Sequence, residues 1–191
     1  TTTAGYQPLT AKAETAKPTF LYSRYFNAEG ESRYLPDGSY KRILAALGKS
    51  FDLRVNSAPP SMASLADVDV VLISNPNAKA VGDHPAPPRF THRDRAALRE
   101  YVYGGGGLIL MGNQENHNLE TETTNQLLAD FGMKWVDLYT DVKSIKVANE
   151  TPIIGDLRWA YYTGNLIELA SDHPANPRSL VTNDVKQKPL N

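Results

Sequence analysis

Residues 104–118 read GGGGLILMGNQENHN, an apolar run joined directly to a polar one. Four apolar residues, 108–111, precede seven, 112–118, that carry no apolar side chain. A short unbroken apolar run suits a strand covered on both faces, as in a parallel sheet. Open α/β sheets bind ligands beyond the carboxyl ends of their strands. The pattern therefore predicts Asn113, Gln114, Glu115, Asn116 and His117 at the rim of a binding pocket. A solvated loop leading into the next helix has the same composition, and the residues alone leave both readings open.

The rest of the chain supplies partners for such a strand. Residues 19–23 (TFLYS), 51–55 and 68–74 (VDVVLIS) read as further strands, the last being β-branched and almost wholly apolar. Between them, Ser39 can cap a helix with Tyr40, Ile43, Leu44 and Leu47 on its buried face and Gly48 as its stop. Residues 59–68 (PPSMASLADV) suggest a short helix or turn, which Pro59 and Pro60 keep from extending upstream. Thr91, with Asp94 three residues on, resembles a capping box for a helix burying Ala97, Leu98, Tyr101 and Val102. Thr123 or Thr124 opens another helix, stopped by Gly132. Strand and helix alternate, which predicts a parallel sheet with helices on both faces. From about residue 135 the pattern becomes β-rich: 135–138, 144–147, an aromatic hairpin within 151–169, and 179–182. Residues 1–18 read as an arm or linker, and 19–191 as one domain with 135–191 as its extension.

Composition narrows the function classes. The chain has 191 residues, is 41% hydrophobic and 21% charged, and carries a net charge of −1. Scattered Lys and Arg argue against nucleic acid or an anionic membrane as the main partner. No run reaches the roughly 18 apolar residues that span a bilayer. There is no cysteine, which removes disulfides, Cys-ligated zinc and thiol nucleophiles. The start, TTTAG, suits a mature end after signal cleavage or a cut end. A periplasmic or secreted location is the expectation, with the cytoplasm as the alternative.

The strand VDVVLIS, the helix THRDRAALREYVYGGGG and the strand GGLILMG together resemble the class I glutamine amidotransferase-like fold, flavodoxin-like in topology. The resemblance covers roughly residues 18–135, and similar patterns occur in trehalose-utilisation-like domains and β-galactosidase trimerisation domains. It implies a three-layer α/β/α domain with a mostly parallel sheet. The segments GDLRWAYYTGNL and SLVTND resemble one that accompanies such domains in bacterial proteins associated with unsaturated glucuronyl hydrolases. True amidotransferases place a nucleophilic cysteine just after the strand that matches LILMG, and complete it with a late histidine and glutamate. Here that turn is Gly112, Asn113 and Gln114, and His173 is followed by Pro174 and Ala175. The resemblance therefore implies the scaffold without the glutaminase. In the family the sheet continues with another strand and helix, so this chain reads as a piece of a longer protein.

Several side chains could carry other chemistry. Ser23, Arg24, Glu29 and Arg33 lie in a long loop after the first strand, beside the central one in the expected topology. Arg24 or Arg33 could clamp a carboxylate, such as that of a uronic acid, and Asn75 ends the strand between. Glu115, His117 and Glu29 are candidates for acid and base. Glu115, His117 and Glu120 could approach a metal, but no metal-binding spacing is present and helix-start acidity explains them equally. Asp83, His84, His92 and Asp94 form a second acidic–imidazole group that reads mainly as turn and cap. Trp159, Tyr161 and Tyr162 could stack on a sugar or simply pack. Neither a cofactor nor a metal is expected. The leading expectation is a pseudoenzyme-like binding or accessory module for an acidic saccharide in polysaccharide degradation. A hydrolase and a structural oligomerisation domain are the alternatives. The expected partners are a small-molecule or saccharide ligand and either a second copy or an accompanying catalytic domain.

Overall fold

The computed structural model describes residues 16–113, 118–136, 145–147 and 165–183. Four strands form one parallel sheet: β1 (Thr19–Ser23), β2 (Asp52–Asn56), β3 (Val70–Ser74) and β4 (Gly107–Met111). Their order is β2-β1-β3-β4. The chain first steps outward from β1 to β2, then returns past β1 to β3. That reversal is the topological switch point of a flavodoxin-like sheet, and it falls between β1 and β3.

Burial follows from position in the sheet. Every residue of β1 is buried, as are the last four of β3, whereas β2 and β4 lie at the edges and are partly exposed. Strand side chains alternate between the two faces. Phe20, Tyr22 and Leu72 pack with Leu44 of α1 (Lys41–Leu47) on one face. Leu21, Val71 and Ile73 pack on the other with Leu65 of α2 (Met62–Leu65), Leu98 and Tyr101 of α3 (His92–Tyr103), and Leu127 of α4 (Glu122–Ala129). This is a three-layer α/β/α arrangement. Burying one such side chain fully is worth about 1.5–3 kcal/mol, so the two apolar layers account for the sheet's position at the centre.

Local signals explain the helix ends. Thr91 Oγ1 accepts the Asp94 N–H at 3.2 Å while the Asp94 carboxylate accepts the Thr91 N–H at 2.9 Å, a closed capping box. The turn after α3 needs glycine. Gly105 has a φ of 101°, and a Cβ on Gly106 would stand 2.2 Å from the Tyr101 ring. The expected Ser39 cap is replaced by Tyr40 at the N-cap position, with no side-chain cap bond. Ile43 is exposed at 54%, because the short α1 turns only Leu44 squarely onto the sheet. The strand expected from residue 68 begins at Val70; Val68 is buried just before it.

Among the described residues the C-terminal part holds two small antiparallel pairs. β5 (Met133–Trp135) pairs with β7 (Ile167–Leu169), and β6 (Ile145–Val147) with β8 (Val181–Asn183). The first of these starts and ends earlier than the 135–138 reading, since Gly132 at φ 69° releases the chain directly into it. Among the described residues no helix is long and apolar enough to cross a membrane.

Candidate functional site

The loops leaving β1, β3 and β4 meet at the carboxyl edge of the sheet. Asn27 joins the first two. Its Nδ2 donates to the carbonyl oxygens of both Ser74 and, at 3.0 Å, Asn75. Asn77 answers from the other loop: its Oδ1 accepts the Ala28 N–H at 2.8 Å, and its own N–H donates to Phe26 O at 2.9 Å. Phe26 stacks on Phe90 with ring centroids 3.8 Å apart and seals the base of the loop. The crevice at the switch point is thus filled by the protein's own asparagines.

The third loop is tied in the same manner. Asn75 N donates to Met111 O at 2.7 Å, and Asn75 Oδ1 accepts the Asn113 N–H at 2.9 Å. Asn113 Nδ2 donates to the Tyr34 hydroxyl at 3.2 Å, and the Tyr22 hydroxyl donates to Tyr34 O at 2.8 Å. Burial pushes the Tyr22 phenol up to about 12. Burial also raises Tyr34, partly offset by the hydrogen bond from Asn113. Both phenols are therefore neutral hydrogen-bonding groups near pH 7, not bases.

Outside this lattice lies an open cleft of about 380 Å³. Its walls are Arg24, Tyr25, Asn27 and Glu29 from the β1 loop, Ser57 just after β2, and residues 85–88, APP-rich, on the far side. The Nε of Arg24 and the Oδ1 of Asn27 are buried with no hydrogen-bond partner among the described residues. Glu29 Oε2 lies 3.2 Å from His84 Nδ1, and both side chains are largely exposed.

The residues expected from the sequence fall in several places. Arg24 and Glu29 line the cleft. Ser23 is buried at the end of β1. Arg33 is turned onto Glu31, with its Nε 2.7 Å from Oε1 and its second contact to Oε2, so its guanidinium clamps a carboxylate of the protein itself. Asn75 and Asn113 belong to the lattice and are not walls of the cleft. Gln114, Glu115, Asn116 and His117 lie outside the described residues, as do Trp159, Tyr161 and Tyr162. Among the described residues no three acidic or imidazole side chains group as a metal site. Glu120 instead accepts hydrogen bonds from the N–H and hydroxyl groups of Thr123 and Thr124, capping α4.

Two elements of the site are not among the ligand-binding candidates that the sequence suggests. Asn27 was a generic loop residue, and 85–88 a generic proline-rich connection. The proline cluster was the usable signal, because prolines hold a chain extended without needing backbone donors and so make stiff walls.

The first residue of the turn after β4 is closely covered. A Cβ on Gly112 would stand 2.7 Å from Cζ2 of the Trp135 ring. Trp135 is buried and pinned by Asn125, whose Nδ2 donates to Trp135 O at 2.9 Å and whose Oδ1 accepts its N–H at 2.8 Å.

No protein-family model matches the chain, and no curated protein matches it in sequence. Among solved structures it is similar to one described as the mmIFT52 N-terminal domain, with a TM-score of 0.59 and 15% identity over 81% of this chain and 69% of the other. A ThuA-like protein from Bacteroides uniformis ATCC 8492 aligns at a TM-score of 0.49 and 14% identity, over 91% of this chain and 77% of that one. At such identity the first likeness speaks to fold alone. The strand order and parallel register fit a three-layer, flavodoxin-like fold.

Proposed function

We propose that this chain is a non-glutaminase binding module for an acidic saccharide, with the cleft beside β1 and β2 as its site. One observation carries this reading: Arg24 forms part of the wall of a polar cleft. A guanidinium in that position suits a carboxylate, which it can meet with two parallel hydrogen bonds. The remaining walls suit a sugar. Tyr25 and residues 85–88 offer apolar faces, while Asn27 and Ser57 offer hydrogen-bonding groups. Amidotransferase chemistry lacks its nucleophile, since the chain has no cysteine. Such a module would serve beside a catalytic domain that degrades polysaccharide.

Calorimetric titration with methyl glucuronide and with methyl glucoside tests the reading. The uronide is expected to bind and the neutral sugar not to. Arg24→Met is expected to weaken uronide binding about ten- to a hundredfold. Equal binding of both sugars, or an unchanged affinity in Arg24→Met, would overturn it.

A second reading, a uronide hydrolase, is favoured by one contact. Glu29 shares the cleft with Arg24 and sits against His84, a carboxylate–imidazole pair next to the cation. Release of the aglycone from an unsaturated glucuronide, lost in Glu29→Gln, would support it.

A further inference from the structure

A second cavity, of about 480 Å³, shares no wall residue with the cleft. One wall is the margin of the core. Leu108 and Leu110 of the edge strand β4 meet Leu127 of α4 and Phe131 there, and Leu110 packs against two separate apolar clusters. Another wall is a strap formed by Ile167 of β7 and residues 175–178. The strap is tied to the core. β7 pairs with β5, the Ala170 N–H donates to Gly132 O at 2.8 Å, and a Cβ on Gly132 would stand 2.6 Å from the Cβ of His173. The cavity is therefore enclosed by two parts that are fixed to each other. Its lining carries no carboxylate and a single charged side chain, Arg178. Arg178 is exposed, and the arginine ion pairs among the described residues use Arg33, Arg54, Arg89 and Arg99 instead.

We infer that this cavity binds a small amphiphile, an apolar chain with one anionic head such as a medium-chain carboxylate, the chain among the leucines and the head at Arg178. Apolar walls give water few partners, so the space favours an apolar guest. Ligand pockets run to about 300–1,000 Å³, which suits one small molecule here. Ile167 and Tyr103 on its wall are 55% and 57% exposed, and uncovered apolar surface of this kind marks a binding site. The Tyr103 hydroxyl is already engaged, donating to Asp130 O at 3.0 Å, which leaves the guanidinium as the polar group for a ligand's head. A guanidinium is weakly hydrated and meets a carboxylate with charge-assisted hydrogen bonds. One cation matches one negative charge, so a monoanion fits better than a dianion or a neutral chain.

Calorimetric titration with decanoate and with decan-1-ol, both kept below the concentrations at which they aggregate, tests the inference. Decanoate is expected to bind at least about tenfold more tightly than the alcohol. It should also raise the thermal unfolding midpoint, since it binds the folded chain alone. Arg178→Met keeps an apolar stem without the charge, and is expected to bring decanoate down to the level of the alcohol. Leu110→Phe adds bulk from β4 on the side that packs against α3 and α4, and is expected to weaken both ligands. Arg178 is exposed, so its variant should keep the parent's unfolding midpoint and remains informative if Leu110→Phe folds poorly. Failure of decanoate to bind would overturn the inference. So would equal affinity for decanoate and decan-1-ol, or decanoate affinity unchanged in Arg178→Met.

Discussion

Asn75 holds Asn113 by accepting its backbone N–H at 2.9 Å, and does so from a left-handed backbone with φ of 46°. Asparagine tolerates that conformation better than most residues, because its short side chain can hydrogen-bond locally. Asn75→Ala should lose the acceptor and keep the unfavourable backbone, costing about 2–3 kcal/mol. Asn75→Gly loses the acceptor but relaxes the backbone, costing about 1 kcal/mol. Urea unfolding of both variants checks the order; a glycine variant weaker than the alanine variant would contradict it.

Tyr101 and Gly106 predict a coupled pair. A Cβ at position 106 would stand 2.2 Å from the ring carbon Cζ of Tyr101, which is buried. Gly106→Ala should destabilise by about 1–3 kcal/mol through overpacking. Combining it with Tyr101→Leu should cost less than the sum of the single changes, because the shorter side chain vacates the contact. Thermal denaturation of the four proteins in the cycle gives the coupling, and strict additivity would refute the clash.

Glu120 predicts an acid limb. Burial pushes its carboxyl up, but the hydrogen bonds from Thr123 and Thr124 outweigh this and hold it below its ordinary value of 4.5. A carboxyl lower in the folded than in the unfolded state stabilises the fold above its unfolded value, and loses that contribution as pH falls through the folded one. Glu120→Gln should therefore be less stable than the parent at pH 7, with the gap narrowing steadily below about pH 4.5. Unfolding midpoints at several pH values check this. A gap that widens in acid has the wrong sign for the proposed cap.

Arg33 separates a structural cation from a ligand-binding one. Its guanidinium is occupied by Glu31, whose side chain is buried. Arg33→Ala should leave uronide affinity unchanged. It should lower stability by about 1 kcal/mol, a modest figure because Arg33 itself is 42% exposed. Calorimetry and urea unfolding on one sample give both values, and a loss of affinity would place Arg33 in the site after all.

The fold was legible where a residue's partner is implied by its own neighbours. The run at 70–74 and the apolar residues 108–110 declare buried parallel strands by composition, and Thr91 with Asp94 declares a helix start by spacing. The cleft was only half legible. Arg24 and Glu29 were noticed as charges in a long loop. Asn27 was not, because it bonds to main-chain carbonyls 47 and 48 residues away, and any sequence offers a carbonyl at every position. Arg33 was read as available for the matching reason: nothing in the order Glu31, Ser32, Arg33 says that the two charges face each other.

The indole of Trp135 bears on how readily this scaffold could accept a side chain at position 112. Cysteine at 112 would have to enter space the ring already fills, and the ring is fixed at its backbone by Asn125. Removing the indole first would hollow out the small apolar cluster with Leu119 and Leu128. A larger residue at 112 therefore calls for a second, compensating change at 135, and Gly112→Cys alone should displace the indole and lower stability.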